Sequence, residues 1–289
     1  MVKQQFSEES ITEQPLISVI TAVLNGEEYL EQTIQSVINQ SYKNVEYIII
    51  NDGSTDNTVN ILKKYDEQIA YWESQTNSGL YSSWNKALKH AKGEWVCFLG
   101  ADDYFWSLDV LEKVVPQLNK AWPNSRVVYG KSNFISLKDS QIIMTHGKPW
   151  NQVKNKFLYE MCLPHPGLFH HRSLFEEYGN FDSSFKICGD YDFLLRELKR
   201  KDAYHIEDII VTGVRMGGMS STLDNMVVTH RENIKCRRKN GLLISYTEIM
   251  RGLLVYTYLS LRSTLGESAT SHLADFYRKI TGRPAIWTK

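Results

Sequence analysis

The sequence predicts an α/β fold, a mostly parallel sheet flanked by helices, followed by a helical C-terminal extension. Three observations predict it. Nearly continuous apolar runs of strand length recur through the first hundred residues, the pattern of strands covered on both faces. Amphipathic stretches of helical period separate them. Each run ends in a polar turn, so strand and helix alternate as in a parallel sheet with right-handed crossovers.

Residues 1–14 are polar and are expected to form a flexible N-terminus ending at Pro15. Leu16 to Val23 reads as the first strand, broken by Asn25-Gly26, and Leu30, Ile34, Val37 and Ile38 mark one helix face. Val45 to Ile50 is the second strand, closed by Asn51-Asp52-Gly53-Ser54-Thr55-Asp56, a loop rich in helix-capping types. Thr58, Ile61, Leu62 and Tyr65 give the next stripe, and Ile69 to Trp72 a short strand. Leu80, Trp84, Ala87, Leu88 and Ala91 form a third helical face before the strand Trp95 to Leu99.

Beyond residue 130 the pattern turns mixed. Cys188 to Arg200 is a helix with Tyr191, Leu194, Leu195 and Leu198 on one side, and Gly213 to Ser221 reads as a Gly-rich mobile segment. From Asn225 onward the chain is helical, with a broad apolar face (Leu243, Tyr246, Ile249, Met250, Leu253, Leu254) after the basic run Arg237-Arg238-Lys239. The organisation expected is one domain over residues 15–222, in halves of about 15–130 and 131–222, and a helical region over 223–289.

Composition removes several function classes. The 289 residues carry 33 Lys+Arg against 33 Asp+Glu, so no global field holds nucleic acid. Four cysteines, Cys97, Cys162, Cys188 and Cys236, are scattered without a CxxC pair, as small apolar residues in a reducing compartment rather than a zinc site or disulfide framework. No apolar leader precedes Pro15, and the stretch Gly252 to Leu261 is too short to span a bilayer. A cytoplasmic location is therefore expected.

In such a sheet the loops after the strands gather into one cleft. Here they carry Thr21 to Asn25, then Asp52, then Asn77 and Gly79, then Asp102-Asp103. None matches GxGxxG or GxxxxGK[ST], which argues against a dehydrogenase or a P-loop enzyme. Asp102-Asp103 directly follows a buried strand, where adjacent carboxylates repel and lose solvation. A divalent cation relieves both penalties; the alternative is that one aspartate caps the helix starting near Ser107. Asp52 likewise has a plain reading as turn-and-cap chemistry.

Five segments, in order, carry a family resemblance. They are Ile20 to Leu30, Asn51 to Asp56, Asn85-Lys86-Ala87, Gly93 to Asp103, and Gly189-Asp190-Tyr191-Asp192. Together they resemble the inverting family 2 glycosyltransferases, over about Leu16 to Ser221. The stretch Ser74 to Ala87 is most similar to the bacterial branch that builds O-antigen and other surface polysaccharides. The resemblance implies a GT-A-type, Rossmann-like nucleotide-sugar fold, with the halves of 15–222 as donor-binding and acceptor-binding parts. It implies that Asp52 bonds the uracil of a UDP-sugar, with Thr21, Val23 and Asn25 framing the base. Asn77 and Lys86 then face the diphosphate or sugar. Asp102 and Asp103 would hold Mn²⁺ or Mg²⁺ beside the donor. Two positions depart from the family pattern: Gly100 stands where the first aspartate of DxDD is usual, and Leu24 where an aromatic residue is common.

Inversion requires one in-line attack by an acceptor hydroxyl, so a carboxylate must take its proton. Asp190 matches the family's catalytic aspartate, at a helix start that favours the ionised form; Asp192 is the fallback. His165 is placed near the acceptor or a phosphate. His170-His171 is rejected as a metal pair, because neighbours on a strand face opposite ways. Gly217-Gly218-Met219-Ser220 resembles the family's diphosphate-covering loop. The Gln-x-x-Arg-Trp motif of processive synthases is absent, so addition of a single sugar, a hexose, to a saccharide acceptor is expected.

The basic run beside the apolar helix has two readings. The favoured one is packing on the domain or a homodimer. The other is contact with the inner face of the plasma membrane, which would suit a lipid-linked acceptor. Two other functions compete with transfer: a non-catalytic nucleotide-sugar scaffold, and a sugar-1-phosphate nucleotidyltransferase, for which the acidic Gly26-Glu27-Glu28 turn is unsuited.

Overall fold

The computed structural model describes residues 13–76, 78–217, 225–243 and 246–280. Its first half runs β1 (Ile17–Val23), α1 (Leu30–Ile38), β2 (Val45–Asn51), α2 (Thr58–Lys64), β3 (Tyr71–Ser74), α3 (Leu80–Leu88) and β4 (Trp95–Phe98). Then follow β5 (Tyr104–Phe105), α4 (Val110–Ala121), β6 (Val127–Ile135), β7 (Ile142–His146), α5 (Trp150–Phe157), β8 (Phe169–His171), α6 (Ser173–Tyr178), α7 (Gly189–Leu198) and β9 (Tyr204–Arg215). Three helices close the described chain: α8 (Met226–Lys239), α9 (Tyr246–Leu265) and α10 (Glu267–Ile280).

One sheet carries the order β3-β2-β1-β4-β8-β6-β9-β5, with β7 paired to β6. Strands β3, β2, β1 and β4 are parallel, with Ile17 opposite both Val45 and Trp95. The sheet then becomes mixed: β8 is antiparallel to β4 and β6, whereas β9 runs parallel to β6. The alternation of side chains across the first strands explains their continuous apolar runs. Ile20, Ile48, Ile50, Val96 and Phe98 pack in the layer that holds α3 and α7, while Ile17, Val19, Ile49 and Cys97 pack in the layer of α1 and α4. Truncating such a residue, as in Leu30→Ala, costs on the order of 2–5 kcal/mol. All four cysteines are free and buried.

The structure moves two boundaries. Strand β3 begins at Tyr71, two residues past the expected start. Gly213, Val214 and Arg215, read as part of a mobile segment, belong to β9. Gly213 is there for packing: a Cβ would lie 2.5 Å from the Tyr104 ring that pairs with it across the strands. Gly218, Met219, Ser220 and Ser221 lie outside the described residues.

The basic run anchors α8 to the domain. Arg237 is buried with its guanidinium 4.9 Å from the Tyr159 ring, and Lys239 pairs with Asp182 and Asp192 at 2.8 and 3.0 Å. The apolar face beyond it is not covered by the domain: Leu243, Met250, Leu253 and Leu254 are exposed. Among the described residues, no helix is long and apolar enough to cross a membrane.

Candidate active site

The carboxyl ends of the parallel strands open onto a cleft of about 1370 Å³. That exceeds the roughly 300–1,000 Å³ of a pocket for one small ligand and leaves room for two. Ala22, Val23, Leu24, Asn25, Asp52, Gly79, Asp102, Asp103, His165 and Asp190 all line it. Residues up to 168 apart in sequence thus share one space because their strands and helices end on the same side.

The loops after β1 and β2 lock together. The Asn25 backbone, at φ 53°, donates to Ser54 Oγ (2.8 Å), while its side-chain Oδ1 accepts from the Thr55 N–H (2.9 Å). The Gly26 N–H donates to Thr58 Oγ1 at 2.8 Å. Thr21 works from beneath: its buried hydroxyl bonds the Tyr47 hydroxyl and the Leu99 carbonyl, each at 2.9 Å, and it does not reach the cleft.

Asp52 is both a cap and a cleft residue. Its Oδ1 accepts from the N–H and hydroxyl of Ser78 (2.8 and 3.0 Å) and from Gln75 (3.1 Å), and its Oδ2 accepts from the Gly79 N–H (2.8 Å). The carboxylate therefore sits at the N-terminus of α3, where negative charge is favoured. Gly79 can make this turn because it lacks a Cβ at φ 90°. Oδ2 has one donor against three on Oδ1 and so keeps acceptor capacity, on a residue that lines the cleft.

Asp102 and Asp103 fold over Gly100. A Cβ on Gly100 would lie 2.5 Å from Asp103 Oδ2 and 3.0 Å from Asp102 Oδ1, so the missing side chain is what lets both carboxylates converge. Thr33 of α1 fastens this turn, its hydroxyl donating to the carbonyls of Ala101 (2.9 Å) and Asp103 (2.7 Å). Burial raises both acids above the ordinary carboxylate range, and for the buried Asp103 the neighbouring Asp102 charge adds to it. The Arg215 backbone N–H donates to Asp103 Oδ1 at 3.1 Å. Its guanidinium bonds the Asp102 carbonyl and Gln32 and lies 4.2 Å from the Tyr29 ring and 5.1 Å from that of Tyr104.

This pair fits a divalent cation. Two crowded, desolvated carboxylates are stabilised by a hard cation that takes one or two carboxylates and fills its other positions with water and phosphate oxygens. Among the described residues, no cluster of three or more His, Cys, Asp or Glu offers an all-protein cage. The remaining ligands would have to come from a bound diphosphate and solvent.

Across the cleft, Asp190 stands in the first turn of α7, half-buried. Its Oδ1 accepts from the Tyr191 N–H (2.8 Å) and from the Tyr81 hydroxyl (3.3 Å). Burial pushes its carboxyl up to about 6, with the Glu232 charge adding to the rise. Gly189 makes room for the Tyr81 ring, which a Cβ would approach to 2.8 Å.

The other expected residues divide. His165 lines the cleft, stacked 5.2 Å from Trp84 and 5.8 Å from Phe98; burial lowers its ring to about 3, so it is neutral at neutral pH. Asp192 is not a cleft residue. It is fully buried, and Arg196 (2.8 Å), Lys239 (3.0 Å) and Asn240 (3.1 Å) occupy its carboxylate, because the helix turns it from the Asp190 side toward α8. Lys86 also lies away from the cleft, paired with Glu73 at 2.5 Å on the outer side of α3. Its neighbour Asn85 clamps the Phe181 backbone through both side-chain atoms, at 2.8 and 3.0 Å. Asn77 lies outside the described residues. His170 and His171 face opposite layers, toward Phe193 and Trp122 respectively.

Three groups were not anticipated from the sequence. Arg215 lay in a stretch whose glycines suggested mobility, Tyr81 belonged to the stretch Ser74 to Ala87 without a role of its own, and Glu232 had no motif around it.

Comparison with known proteins identifies the family and the fold. A family model described as glycosyl transferase family 2 matches residues 18–177. An uncharacterized glycosyltransferase of Mycobacterium tuberculosis is 32% identical over 189 residues, covering 64% of this chain and 70% of that one. One from Rickettsia typhi is 31% identical over 208 residues, with 69% and 64% covered. The chain spans 64% and 34% of the length of two of the Rickettsia relatives it matches. In structure it is similar to residues 1–349 of S. aureus TarS in complex with UDP-GlcNAc, with TM-score 0.60, 19% identity, and 91% and 77% of the chains covered. A mannosyltransferase of Pyrobaculum calidifontis in complex with GDP-Man and Mn²⁺ is as similar, with TM-score 0.60, 16% identity, and 91% and 76% covered. The mixed sheet with its flanking helices is the GT-A fold of these neighbours, and the chain belongs to glycosyltransferase family 2.

Proposed function

We propose that this protein is an inverting, metal-dependent glycosyltransferase that moves a single hexose from a UDP-sugar to a saccharide acceptor. The observation that carries the reading is the opposition of two acid centres on one cleft: the converging Asp102-Asp103 pair and the half-buried Asp190. In this reading the free acceptor position of Asp52 Oδ2 takes the uracil imide N–H, while Val23, Leu24 and Asn25 frame the ring. Asp102 and Asp103 hold Mn²⁺ or Mg²⁺. When bound, the cation neutralises charge developing on the departing diphosphate. Asp190 accepts the proton of the attacking hydroxyl on its other oxygen, while the Tyr191 N–H and the Tyr81 hydroxyl hold Oδ1 in place. His165, neutral and stacked on Trp84, stands on the acceptor side as a hydrogen-bonding group.

The acceptor class is a sugar of a surface polysaccharide under assembly, carried on a lipid at the cytosolic face of the membrane. The exposed apolar residues of α9 and α10 support contact beyond the domain, with that membrane or with a second copy of the chain.

Calorimetric titration of UDP, with and without Mn²⁺, tests the donor half of the proposal. Metal-dependent binding in the micromolar range is expected, followed by turnover of a UDP-hexose to a product of inverted anomeric configuration by NMR. Absence of binding in both conditions would leave a non-catalytic scaffold as the better account.

A further inference from the structure

The loop that delivers Asp190 to the cleft is held by a residue from outside the region the family model matches. Glu232, in the second turn of α8, points its carboxylate at the chain just before α7. Its Oε1 accepts from the Lys186 N–H at 2.7 Å, and its Oε2 from the N–H groups of Ile187 and Cys188 at 2.8 and 2.9 Å. Three consecutive backbone donors thus converge on one carboxylate 44 to 46 residues away in sequence. Charge-assisted bonds of this kind are among the stronger hydrogen bonds a protein makes. From the opposite side, Tyr81 of α3 donates its hydroxyl to the Ile187 carbonyl at 2.5 Å and also reaches Asp190 at 3.3 Å. The turn 186–188 is consequently gripped at its N–H groups by α8 and at a carbonyl by α3. Cys236, one turn further along α8, adds a thiol contact of 3.2 Å to the Cys188 carbonyl.

We propose that Glu232 is the positioning residue of the catalytic base, fixing the turn that aims Asp190 into the cleft and tying the C-terminal helical region to the chemistry. The inference rests on the assignment of Asp190 as base. It makes α8 part of the catalytic machinery: a tether between the base and whatever α9 and α10 contact. The magnitude is that of geometric misplacement, since a shift of about 1 Å in a catalytic group costs on the order of 100-fold in rate.

Electrostatics supply a readout that a merely structural role would not move. The groups facing Asp190 are Tyr81 from α3, Cys188 from the preceding turn, and Glu232 and Cys236 from α8. Burial is the main reason the Asp190 carboxyl is raised, and of these neighbours Glu232 is the charge that adds to it. Glu232→Gln keeps the shape of the side chain and removes the charge.

Three measurements on the full chain decide the matter. In Glu232→Gln, amide exchange at 186–188 should quicken at least tenfold by mass spectrometry or NMR. The titration midpoint of Asp190, followed through ¹³C-labelled aspartate, should move below its wild-type value. Among UDP-glucose, UDP-galactose and UDP-N-acetylglucosamine, the donor that wild type hydrolyses fastest should show kcat reduced about 10- to 100-fold at little-changed KM, with its acid limb at lower pH. Unchanged exchange would overturn the inference. So would quickened exchange with the Asp190 midpoint and kcat unmoved. Asp190→Asn separates the two assignments: if it abolishes turnover while Glu232→Gln matches wild type, only the positioning role fails. If Asp190→Asn itself retains turnover, the base assignment fails.

Discussion

The two sides of the cleft are built by different rules. On the side assigned to the donor, Asp52, Asp102 and Asp103 each stand in the loop immediately after a parallel strand; the loop before α3 fixes Asp52, while Thr33 and Arg215 reach Asp103 from 70 and 112 residues away. On the other side Asp190 is supported by α3, over a hundred residues earlier (109 between Tyr81 and Asp190), and by the later α8. Local chemistry places the carboxylates of the first side, because each follows its strand directly and backbone turns and caps supply part of its support, as for Asp52. A carboxyl that must be desolvated yet held in one place needs walls from several elements, and those come from far away in sequence.

The sharpest test of this contrast is Asp190→Asn. It should lower transfer by about a thousandfold or more, within the loss of roughly 10²–10⁴ expected for a removed general base, while calorimetry finds UDP binding nearly unchanged. A parallel loss of UDP binding would mean that the two sides are not separable. Its pH counterpart follows from the Asp190 carboxyl standing at about 6. As the base of the proposed reaction Asp190 would work ionised, so kcat/KM should rise with pH through a limb near 6 and fall below it. A limb near the ordinary carboxylate value of about 4 would show that the wall does not desolvate the base.

On the donor side, Asp103→Asn should cut metal-dependent UDP affinity about tenfold or more, the loss typical of a disturbed metal site. It should also raise the melting temperature of the metal-free protein. The sign follows from the raised carboxyl: the folded state binds the proton more tightly than the unfolded chain, so ionisation costs stability as pH rises above the unfolded value. Thermal scans with and without Mn²⁺ would read both effects, and unaltered metal stabilisation would remove Asp103 from the ligand set. Gly100→Asp, which restores the usual family residue, should destabilise by about 1–3 kcal/mol by overpacking, because its Cβ meets the two carboxylates. Denaturant unfolding would measure it; a neutral outcome would show that the turn has room to relax. The smallest effect belongs to Lys86→Ala. Its partly exposed pair with Glu73 is worth about 0–1 kcal/mol, and donor turnover should be unaltered.

How far the sequence could be read follows the same division. The first four strands, the helices between them and the acid pair after β4 were legible, because apolar period and turn chemistry are local signals. Asp192 and Lys86 were misplaced for one reason: motif membership gives a position along the helix, and only packing decides which way it faces. Asp192 turns into the interface with α8, and Lys86 turns toward Glu73. Arg215 was hidden by its glycine-rich surroundings, since Gly213 signals close packing against Tyr104 as readily as mobility.

By itself, then, the sequence determined the alternation of strands and helices, the loops that face one cleft, and the acidic residues those loops carry, because each depends on neighbours a few positions away. The tertiary structure alone decided which of those residues are cleft groups and which are struts. It also decided why Gly100 and Gly189 lack side chains, and that Glu232 and Tyr81 hold the turn before Asp190. Apart from Gly100, whose constraint comes from the adjoining Asp102 and Asp103, these outcomes depend on contacts between separate segments, 44 and 109 residues apart for Glu232 and Tyr81, and no local pattern in the chain encodes where such segments meet.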